Sequence, residues 1–211
     1  MKNKGRLIVI EGLDGSGKST QLELLYDRLI KSGKDIMKIS FPDYNERSSE
    51  LVKMYLNGEF SSDPADDRYA SYMRFWKAPY LAGKDILAAR YTTSNCIYQM
   101  TKLPKEQWDN YLAWLEDYEY GKLELPKPDM VIFLDMPIEI SQRLMSERYG
   151  SDEAKKDIHE SNVKFLQQCR QAALFTAEKQ GWKIVPCSDG EKPLPLEAIS
   201  DTLFDTFSAL Y

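Results

Sequence analysis

Short apolar runs alternate along this chain with longer stretches in which apolar residues recur every three or four positions. The short runs predict strands at residues 7–10, 36–41, 86–89, 130–134 and 182–186. The periodic stretches predict helices at about 22–30, 51–56, 69–81, 92–102, 108–115, 138–146 and 157–180, and from about 196. Because strands alternate with helices, the sequence predicts a three-layer α/β fold whose parallel sheet of about five strands is covered on both faces.

The carboxyl ends of the predicted strands indicate where a ligand would bind. In open parallel sheets, ligands collect in the crevice beyond these ends. We therefore expect the residues just after Ile10, Phe41, Ala89, Leu134 and Pro186 to share one crevice.

The first of these strand ends leads into a glycine-rich loop. Residues 12–20 read GLDGSGKST and fit the pattern G-x-x-x-x-G-K-[ST] between a predicted strand and a predicted helix. Glycines let such a loop turn so tightly that backbone N–H groups converge on phosphate oxygens, and the helix adds its positive N-terminal end. Lys18 would reach the β- and γ-phosphates and the Ser19 hydroxyl would bind Mg²⁺. The predicted nucleoside triphosphate site consists of Gly12, Asp14, Gly15, Ser16, Gly17, Lys18, Ser19 and Thr20.

Length, charge and cysteine content limit the number of domains and the classes of function. The length of 211 residues suits one domain over 1–211, and the net charge of −5 argues against a broad nucleic-acid-binding face. The first apolar run has only the length of a strand, so it is neither a signal peptide nor a membrane span. Three widely spaced cysteines, Cys96, Cys169 and Cys187, are expected to be reduced packing residues, and His159 alone cannot form a zinc site.

Three arginines are candidates for phosphoryl-transfer chemistry. Arg90 directly follows the third predicted strand, Arg143 precedes the charged segment 146–156, and Arg148 lies near the start of that segment. Phosphoryl transfer depends mainly on positioning and charge, so arginines that close over the γ-phosphate carry much of the rate. The polar, glycine-containing segment at about 146–157 is predicted to be a mobile lid. The alternative for this charged run is a solvated helix face.

Five motifs together resemble the thymidylate kinase family. They are the phosphate loop, Phe41-Pro42-Asp43, Arg90-Tyr91-Thr92-Thr93-Ser94-Asn95 with Tyr98-Gln99, Leu125-Pro126-Lys127-Pro128-Asp129 and Glu147-Arg148-Tyr149. They occur in the order and spacing of the family from Arg6 to about Trp182. The resemblance implies phosphoryl transfer from ATP to dTMP with Mg²⁺, in the cytosol, by a homodimer.

The resemblance also implies an acceptor site. Arg90 matches the arginine that holds the acceptor phosphate, and Ser94 and Asn95 match residues at the thymine. Tyr98 matches the ring that packs under the deoxyribose and excludes a 2′-hydroxyl, which argues against ribonucleotides. The complete predicted dTMP site is Asp14, Phe41, Pro42, Leu56, Arg68, Arg90, Ser94, Asn95 and Tyr98.

The catalytic residues implied by the family are Lys18, Arg90 and Arg148. Because Gly15 occupies a loop position where some relatives carry an arginine, the catalytic arginine is expected in the lid, at Arg148. Arg143 is expected to lie along the adenine. Ser188 and Asp189, after the last strand, either border the adenine or form a structural turn.

Arg68 is the candidate for reading the thymine edge, because its distance along the chain to the Arg90 strand fits the family. The alternatives are that Arg68 is a surface helix residue or that Arg74 takes this role. The aromatic residues Tyr69, Tyr72, Phe75 and Trp76 recur at helical spacing. We expect them to belong to the core, the other interpretations being a dimer interface or a base platform.

Two positions depart from the family pattern. Ala89 precedes Arg90 where the family has an aspartate that helps to organise the metal and the attacking phosphate. The carboxylate of Glu11, Asp14 or Asp135 is a candidate to compensate in part for that aspartate. Pro64 stands where relatives usually place an aromatic residue that stacks on thymine. Two alternative functions therefore stay open: a kinase for another deoxypyrimidine monophosphate, and a catalytically weak nucleotide-binding homologue.

Overall fold

The computed structural model describes residues 4–41, 64–149 and 163–210. Its strands are β1 (Leu7–Gly12), β2 (Ile36–Ser40), β3 (Asp85–Ala89), β4 (Met130–Asp135) and β5 (Lys183–Pro186). Within the described residues they form one sheet in the order β2-β3-β1-β4-β5, and β2–β3 and β4–β5 are parallel pairs. Each strand coincides with an apolar run, and the predicted parallel α/β sheet is confirmed.

Helices connect the strands. They are α1 (Lys18–Lys31), α2 (Pro64–Ser71), α3 (Lys77–Leu81), α4 (Thr93–Tyr98), α5 (Trp108–Glu116), α6 (Ile138–Tyr149), α7 (Val163–Gln180) and α8 (Leu196–Ser208). A π-helical turn, Tyr72–Trp76, joins α2 to α3, and a second one, Asp117–Lys122, follows α5. Two 3₁₀ turns, Met100–Lys102 and Lys105–Gln107, lie between α4 and α5. None of the described helices is long and apolar enough to cross a membrane.

Some boundaries differ from the predicted ones. The helical segment predicted over 69–81 begins at Pro64, where proline is tolerated because a helix N-terminus needs no N–H donor. The helix predicted over 92–102 is α-helical only to Tyr98 and continues as a 3₁₀ turn. Residues 146–149 of the predicted lid belong to α6. The helix predicted at 51–56 and the rest of the lid lie outside the described residues.

The chain folds as two compact units. The first unit comprises residues 1–9 and 35–130, and the second comprises residues 10–34 and 131–211. In the first unit, Trp76 is fully buried and its ring lies 4.5 Å from that of Tyr72. These two residues therefore belong to the core, as expected, whereas Tyr69 and Phe75 are about two-fifths exposed, at 41% and 43%. The core prediction is right for half of this aromatic group.

The Pro-Lys-Pro-Asp motif has a structural role in the first unit. The Asp129 carboxylate accepts a hydrogen bond from the Leu7 N–H (2.8 Å), and the Asp129 N–H donates to the Leu7 carbonyl (2.8 Å). This reciprocal pair fixes the chain before β4 beside the start of β1. Prolines on both sides of Lys127 keep that approach extended.

In the second unit, polar side chains connect α1 to α8. Gln21 Nε2 donates to the Leu196 carbonyl (3.0 Å), and Arg28 forms an ion pair with Asp201 (2.6 Å). The guanidinium of Arg28 also lies 3.9 Å from the ring centroid of Phe204. These contacts hold the helix that follows the phosphate loop. The three cysteines of the chain are buried free thiols, which confirms that they are packing residues.

Candidate functional site

The phosphate loop turns through two glycines with left-handed backbone conformations. Gly15 has φ +76° and Gly17 has φ +79°, values that a residue with a side chain adopts only at a cost. The Ser16 N–H donates to the Leu13 carbonyl (3.2 Å), and α1 begins directly after Gly17. A Cβ at Gly12 would lie 2.6 Å from Ser16 Oγ and 3.3 Å from the Leu134 carbonyl oxygen, so the loop packs closely at this glycine. The loop is therefore a tight turn that ends in a helix N-terminus.

A cavity of about 390 Å³ lies over this loop. Residues 13–21 form one side of it, and the other side is apolar: Met136, Leu144, Met145, Pro193, Leu194, Leu196 and Ile199. Lys18 is only 9% exposed, whereas Ser19 and Thr20 are exposed. The loop offers a cation and a helix N-terminus to phosphate groups, and the apolar wall suits a nucleobase.

The segment after β5 forms a compact turn next to Arg143. Asp189 Oδ1 accepts hydrogen bonds from the N–H groups of Lys192 (2.7 Å) and Glu191 (2.9 Å), and these bonds lower the pKa of Asp189. The Ser188 hydroxyl accepts a further backbone hydrogen bond in the same turn (3.3 Å). The exposed Arg143 donates from Nη2 to the Glu191 carbonyl (2.9 Å). Ser188 and Asp189 therefore act as turn residues, the structural alternative for this pair.

Asp135, the last residue of β4, is held in a bidentate ion pair. Its two carboxylate oxygens accept hydrogen bonds from Arg170 Nε (2.6 Å) and Nη2 (2.8 Å) on α7. The pairing raises the pKa of Arg170, chiefly through the hydrogen bonds to Asp135. Both oxygens are engaged with Arg170, so Asp135 is a poor substitute for the aspartate that the resemblance implies at position 89.

In the first unit, Arg90 follows β3 directly and has φ +62°. A non-glycine residue in this region is uncommon, and such strain is concentrated at functional sites. The guanidinium carbon of Arg90 lies 5.1 Å from the ring centroid of Tyr98, within the range of a cation–π contact. The structure therefore brings these two predicted acceptor-site residues together, and both are half-buried.

Arg68 is buried and paired with a glutamate. Its side chain is almost wholly shielded, since the residue is only 3% exposed, and Nη2 donates to Oε1 of the fully buried Glu119 (2.6 Å). Asn95 Nδ2 donates to the same oxygen (3.3 Å). The alternative prediction, that Arg68 is a surface helix residue, is therefore wrong. Arg74, the other candidate for reading the thymine edge, is exposed, and its guanidinium carbon lies 5.9 Å from the ring centroid of Phe75.

Phe41 and Ser94 both contact Tyr91 in the same unit. The buried Phe41 ring lies 5.9 Å from the Tyr91 ring, and the Phe41 N–H donates to the Ala89 carbonyl (2.9 Å). The half-buried Ser94 donates its N–H to the Tyr91 carbonyl (3.1 Å). Burial raises the pKa of Tyr91 well above its usual range, so this ring carries a neutral hydroxyl at ordinary pH.

Comparison with known proteins identifies the family. The family model described as thymidylate kinase matches residues 10–194. The chain belongs to the thymidylate kinase family. It is 30% identical over 182 residues to thymidylate kinase of Schizosaccharomyces pombe, a match covering 82% of each chain. It is 29% identical over 188 residues to thymidylate kinase of Mycobacterium tuberculosis, covering 83% of this chain and 87% of the relative.

The fold of this thymidylate kinase family member is also that of a solved relative. The structure of thymidylate kinase from Candida albicans aligns with a TM-score of 0.70, over 98% of this chain and 92% of that one, at 24% sequence identity. This likeness shows that the chain has the α/β fold of its family. The family match over residues 10–194 makes the chain a nucleoside monophosphate kinase, and ATP is the family's phosphoryl donor.

For three site residues suggested by the thymidylate kinase resemblance, the structure describes only the backbone or nothing. Pro42 and Leu56 lie outside the described residues. The backbone of Arg148 belongs to the last turn of α6, one residue before the helix ends at Tyr149. Their roles stay predictions.

The two departures from the thymidylate kinase pattern occupy defined positions. Ala89 is the last residue of β3, 6% exposed and opposite Ser40 of β2. Pro64 is the first residue of α2. Ala89 therefore places a methyl group, where the resemblance implies a carboxylate, at the carboxyl end of a sheet strand, where ligands bind in folds of this class.

Sequence reasoning missed Glu119 and Arg170. Glu119 follows Trp108, Leu112 and Leu115 at helical spacing, so a carboxylate occupies the next position of a buried apolar stripe. That interruption is the signal that could have identified it. For Arg170, no local pattern separates it from the other charged residues of α7, because its partner lies 35 positions earlier in the sequence.

Proposed function

We propose that this chain transfers the γ-phosphoryl group of ATP to dTMP and yields ADP and dTDP. The observation that carries the proposal is the phosphate loop, with its two left-handed glycines and the largely buried Lys18, inside a family match over residues 10–194. The geometry of the loop suits a triphosphate, and the family supplies the acceptor.

On the donor side, the phosphate loop and α1 bind the triphosphate of ATP. Lys18 bridges the β- and γ-phosphates, and the backbone N–H groups from Gly15 to Ser19 donate to phosphate oxygens. The adenine occupies the apolar part of the cavity, bordered by Leu144 and Leu194. Arg143, which contacts the turn after β5, covers one face of the base.

Mg²⁺ is expected to accompany ATP in this site. Among the described residues, no cluster of three or more His, Cys, Asp and Glu side chains is placed to hold a metal ion. In phosphoryl-transfer sites Mg²⁺ keeps several waters and is bound mainly through substrate phosphates and one or two protein oxygens. The exposed hydroxyl of Ser19 at the start of α1 and the half-exposed Asp14 would provide those oxygens. When bound, the ion neutralises the charge that develops on the β- and γ-phosphates.

On the acceptor side, the first unit binds dTMP. Arg90 holds the acceptor phosphate, since its fork of donors matches two phosphate oxygens. Tyr98, whose ring contacts Arg90, packs against the deoxyribose, and Arg68 and Asn95 recognise the base. Ser94 contributes at the thymine, and Phe41 borders the base; the resemblance implies the same for Pro42 and Leu56, which lie outside the described residues.

The chemical step is an in-line displacement. A phosphate oxygen of dTMP forms a bond to the γ-phosphorus as the bond from that phosphorus to the bridging oxygen breaks, and ADP leaves. Lys18 and Arg148 stabilise the charge on the transferred group, and Arg90 keeps the attacking phosphate in place. These groups provide positioning and electrostatic stabilisation, which account for most of the rate in this class of reaction.

Ala89 favours a second candidate, a nucleotide-binding homologue with weak turnover. The experiment that separates the two is a coupled ADP-release assay with ATP, Mg²⁺ and dTMP on the natural chain and on Ala89→Asp. We expect measurable turnover in the natural chain and a higher kcat in the variant. Binding of ATP and dTMP by calorimetry, with no turnover in either protein, would support the second candidate. Faster turnover of another deoxypyrimidine monophosphate would reassign the acceptor.

We also propose that the protein works as a homodimer in the cytoplasm. Tyr69, Met73 and Phe75 expose 41–46% of their surface on neighbouring turns of the helical segment from α2 to α3, and such apolar surface suits an interface. The three reduced, buried cysteines suit a reducing compartment. Light scattering at micromolar concentration would measure the oligomeric state.

A further inference from the structure

One buried carboxylate oxygen connects two of the proposed base-reading residues. Oε1 of Glu119 accepts a hydrogen bond from Arg68 Nη2 at 2.6 Å and another from Asn95 Nδ2 at 3.3 Å. Glu119 is 0% exposed, Arg68 is 3% exposed and Asn95 is 9% exposed. The three side chains come from three separate helical segments. Glu119 is therefore a tertiary link between Arg68 and Asn95, which lie 27 positions apart in the sequence.

The local structure explains why Glu119 lies next to Arg68 and Asn95 in the interior. Arg68 begins a stripe continued by the buried residues Tyr72, Trp76 and Tyr80 at intervals of four, so its side chain faces the interior. Glu119 lies in the π-helical turn Asp117–Lys122, a type of distortion frequent at functional sites. The next residue, Tyr120, bonds through its hydroxyl to Thr92 Oγ1 (2.6 Å). This second link fixes the π-turn against the segment that carries Asn95.

We propose that Glu119 is a positioning residue that sets the base selectivity of the acceptor site by fixing the orientation of Arg68 and Asn95. The proposal rests on the proposed function, because it assumes that these two residues face the acceptor base. Glu119 acts through them and does not itself touch the substrate.

The carboxylate of Glu119 determines which hydrogen-bond donors and acceptors the site offers to a base. An ionised carboxylate only accepts hydrogen bonds, so Asn95 must turn its NH₂ group toward Glu119 and its carbonyl oxygen away from it. Arg68 can only donate. The pair therefore presents one donor and one acceptor, which complements the O4 acceptor and the N3–H donor of a 4-oxo pyrimidine. A 4-amino pyrimidine has the opposite pattern and would leave buried groups unpaired, which is the situation that gives strong discrimination.

The cluster also has unused hydrogen-bonding capacity. Among the described residues, none forms a hydrogen bond with Arg68 Nε or with Glu119 Oε2, although both atoms are buried. A buried donor without a partner is costly, so an acceptor brought by a ligand is favoured at Arg68. The carbonyl oxygen of a 4-oxo pyrimidine is such an acceptor.

The test compares Glu119→Gln with Glu106→Gln, which makes the same chemical change at an exposed carboxylate of the same unit. Steady-state kinetics would be measured with dTMP and with dCMP as acceptors, at saturating ATP, after circular dichroism has shown that each variant is folded. For Glu119→Gln we expect the KM for dTMP to rise roughly tenfold to a hundredfold, the loss typical of a hydrogen bond to a charged group. The preference for dTMP over dCMP should fall, the KM for ATP should stay constant, and Glu106→Gln should behave as the natural chain.

A double-variant cycle separates positioning from general stability. In a background of Arg68→Met, the change Glu119→Gln should add little to the loss of dTMP affinity measured by calorimetry, because residues that act through one another are non-additive. If Glu119→Gln does not fold, Glu119→Asp replaces it, with a smaller effect in the same direction. An unchanged KM for dTMP with unchanged selectivity overturns the role of Glu119, as does full additivity in the cycle, while the proposed function stands. If the natural chain itself phosphorylates no pyrimidine nucleotide, the proposed function and this role fail together.

Discussion

Replacement of Gly15 by alanine tests whether the phosphate loop is packed rigidly against α6. Gly15 has φ +76°, and a Cβ there would lie 3.0 Å from both the Cβ and the carbonyl oxygen of Ser141, and 3.1 Å from Met145 Cγ. Gly17 is the matched control, since it has φ +79° but no heavy atom of the described residues within 4 Å of an added Cβ. The two variants therefore share the backbone strain and differ in the steric clash.

The expected magnitudes follow from these two contributions. Left-handed backbone costs a residue with a Cβ about 1–2 kcal/mol, and forcing a methyl group into a packed site costs about 1–3 kcal/mol more. We expect Gly17→Ala to lower the free energy of unfolding by about 1–2 kcal/mol and Gly15→Ala by about 2–5 kcal/mol. For a chain of this length each kcal/mol corresponds to about 2–4 °C in Tm. Urea denaturation and thermal melting without nucleotide would measure both. Equal losses in the two variants would refute the reasoning, because the clash with α6 would then cost nothing.

Three further predictions concern single side chains. Lys18→Ala should abolish ADP release, because no other described residue of the loop carries a cation to the transferred phosphate. The circular dichroism spectrum should stay unchanged, and retained turnover would show that the loop lysine has no part in the mechanism. Arg148→Ala should lower kcat more than dTMP affinity, as expected of a group that acts in the transition state, and an equal loss in both would assign it to ground-state binding. Burial, more than the nearby Asp135 charge, raises the pKa of Cys187 from 9.0 to about 12. The folded thiol thus keeps its proton where the unfolded one loses it, so Cys187 costs no stability below pH 9 and lowers the free energy of unfolding increasingly from there to about pH 12. Because the raised pKa of buried tyrosines such as Tyr91 adds a further decline above pH 10, the measurement compares slopes between pH 9 and 10, where that of Cys187→Ala should be shallower.

The strands and most helices were predictable because their signals are local. An apolar run such as residues 130–134 is short and is bounded by Pro128 and Pro137, which favours a buried strand over a helix, and the structure has β4 there. Boundaries were harder where backbone geometry departs from the ideal α-helix. The π-turns at Tyr72–Trp76 and Asp117–Lys122 carry no distinct residue pattern, because they arise from packing.

The site was predictable to the extent that its residues form contiguous motifs. Residues 12–20 contain the whole phosphate loop, and the left-handed angles at Gly15 and Gly17 follow from the need for a tight turn. The partner of Arg68 was not predictable, since Glu119 lies 51 positions away and its burial depends on the packing of two helical segments. The sequence predicted the arginine and its role at the base, and the tertiary structure shows the side chain that holds it.

The buried pair of Arg68 and Glu119 has a consequence for how this family can diverge. Loss of either charge alone leaves the other buried and uncompensated, a change that typically costs about 3–5 kcal/mol, whereas replacing both by apolar residues is often neutral for stability. Single substitutions at these positions should therefore be rare among related genes, and the two positions should change together. In an alignment of relatives, residues 68 and 119 are expected to co-vary, and lineages that have lost both should differ in the nucleotide they accept.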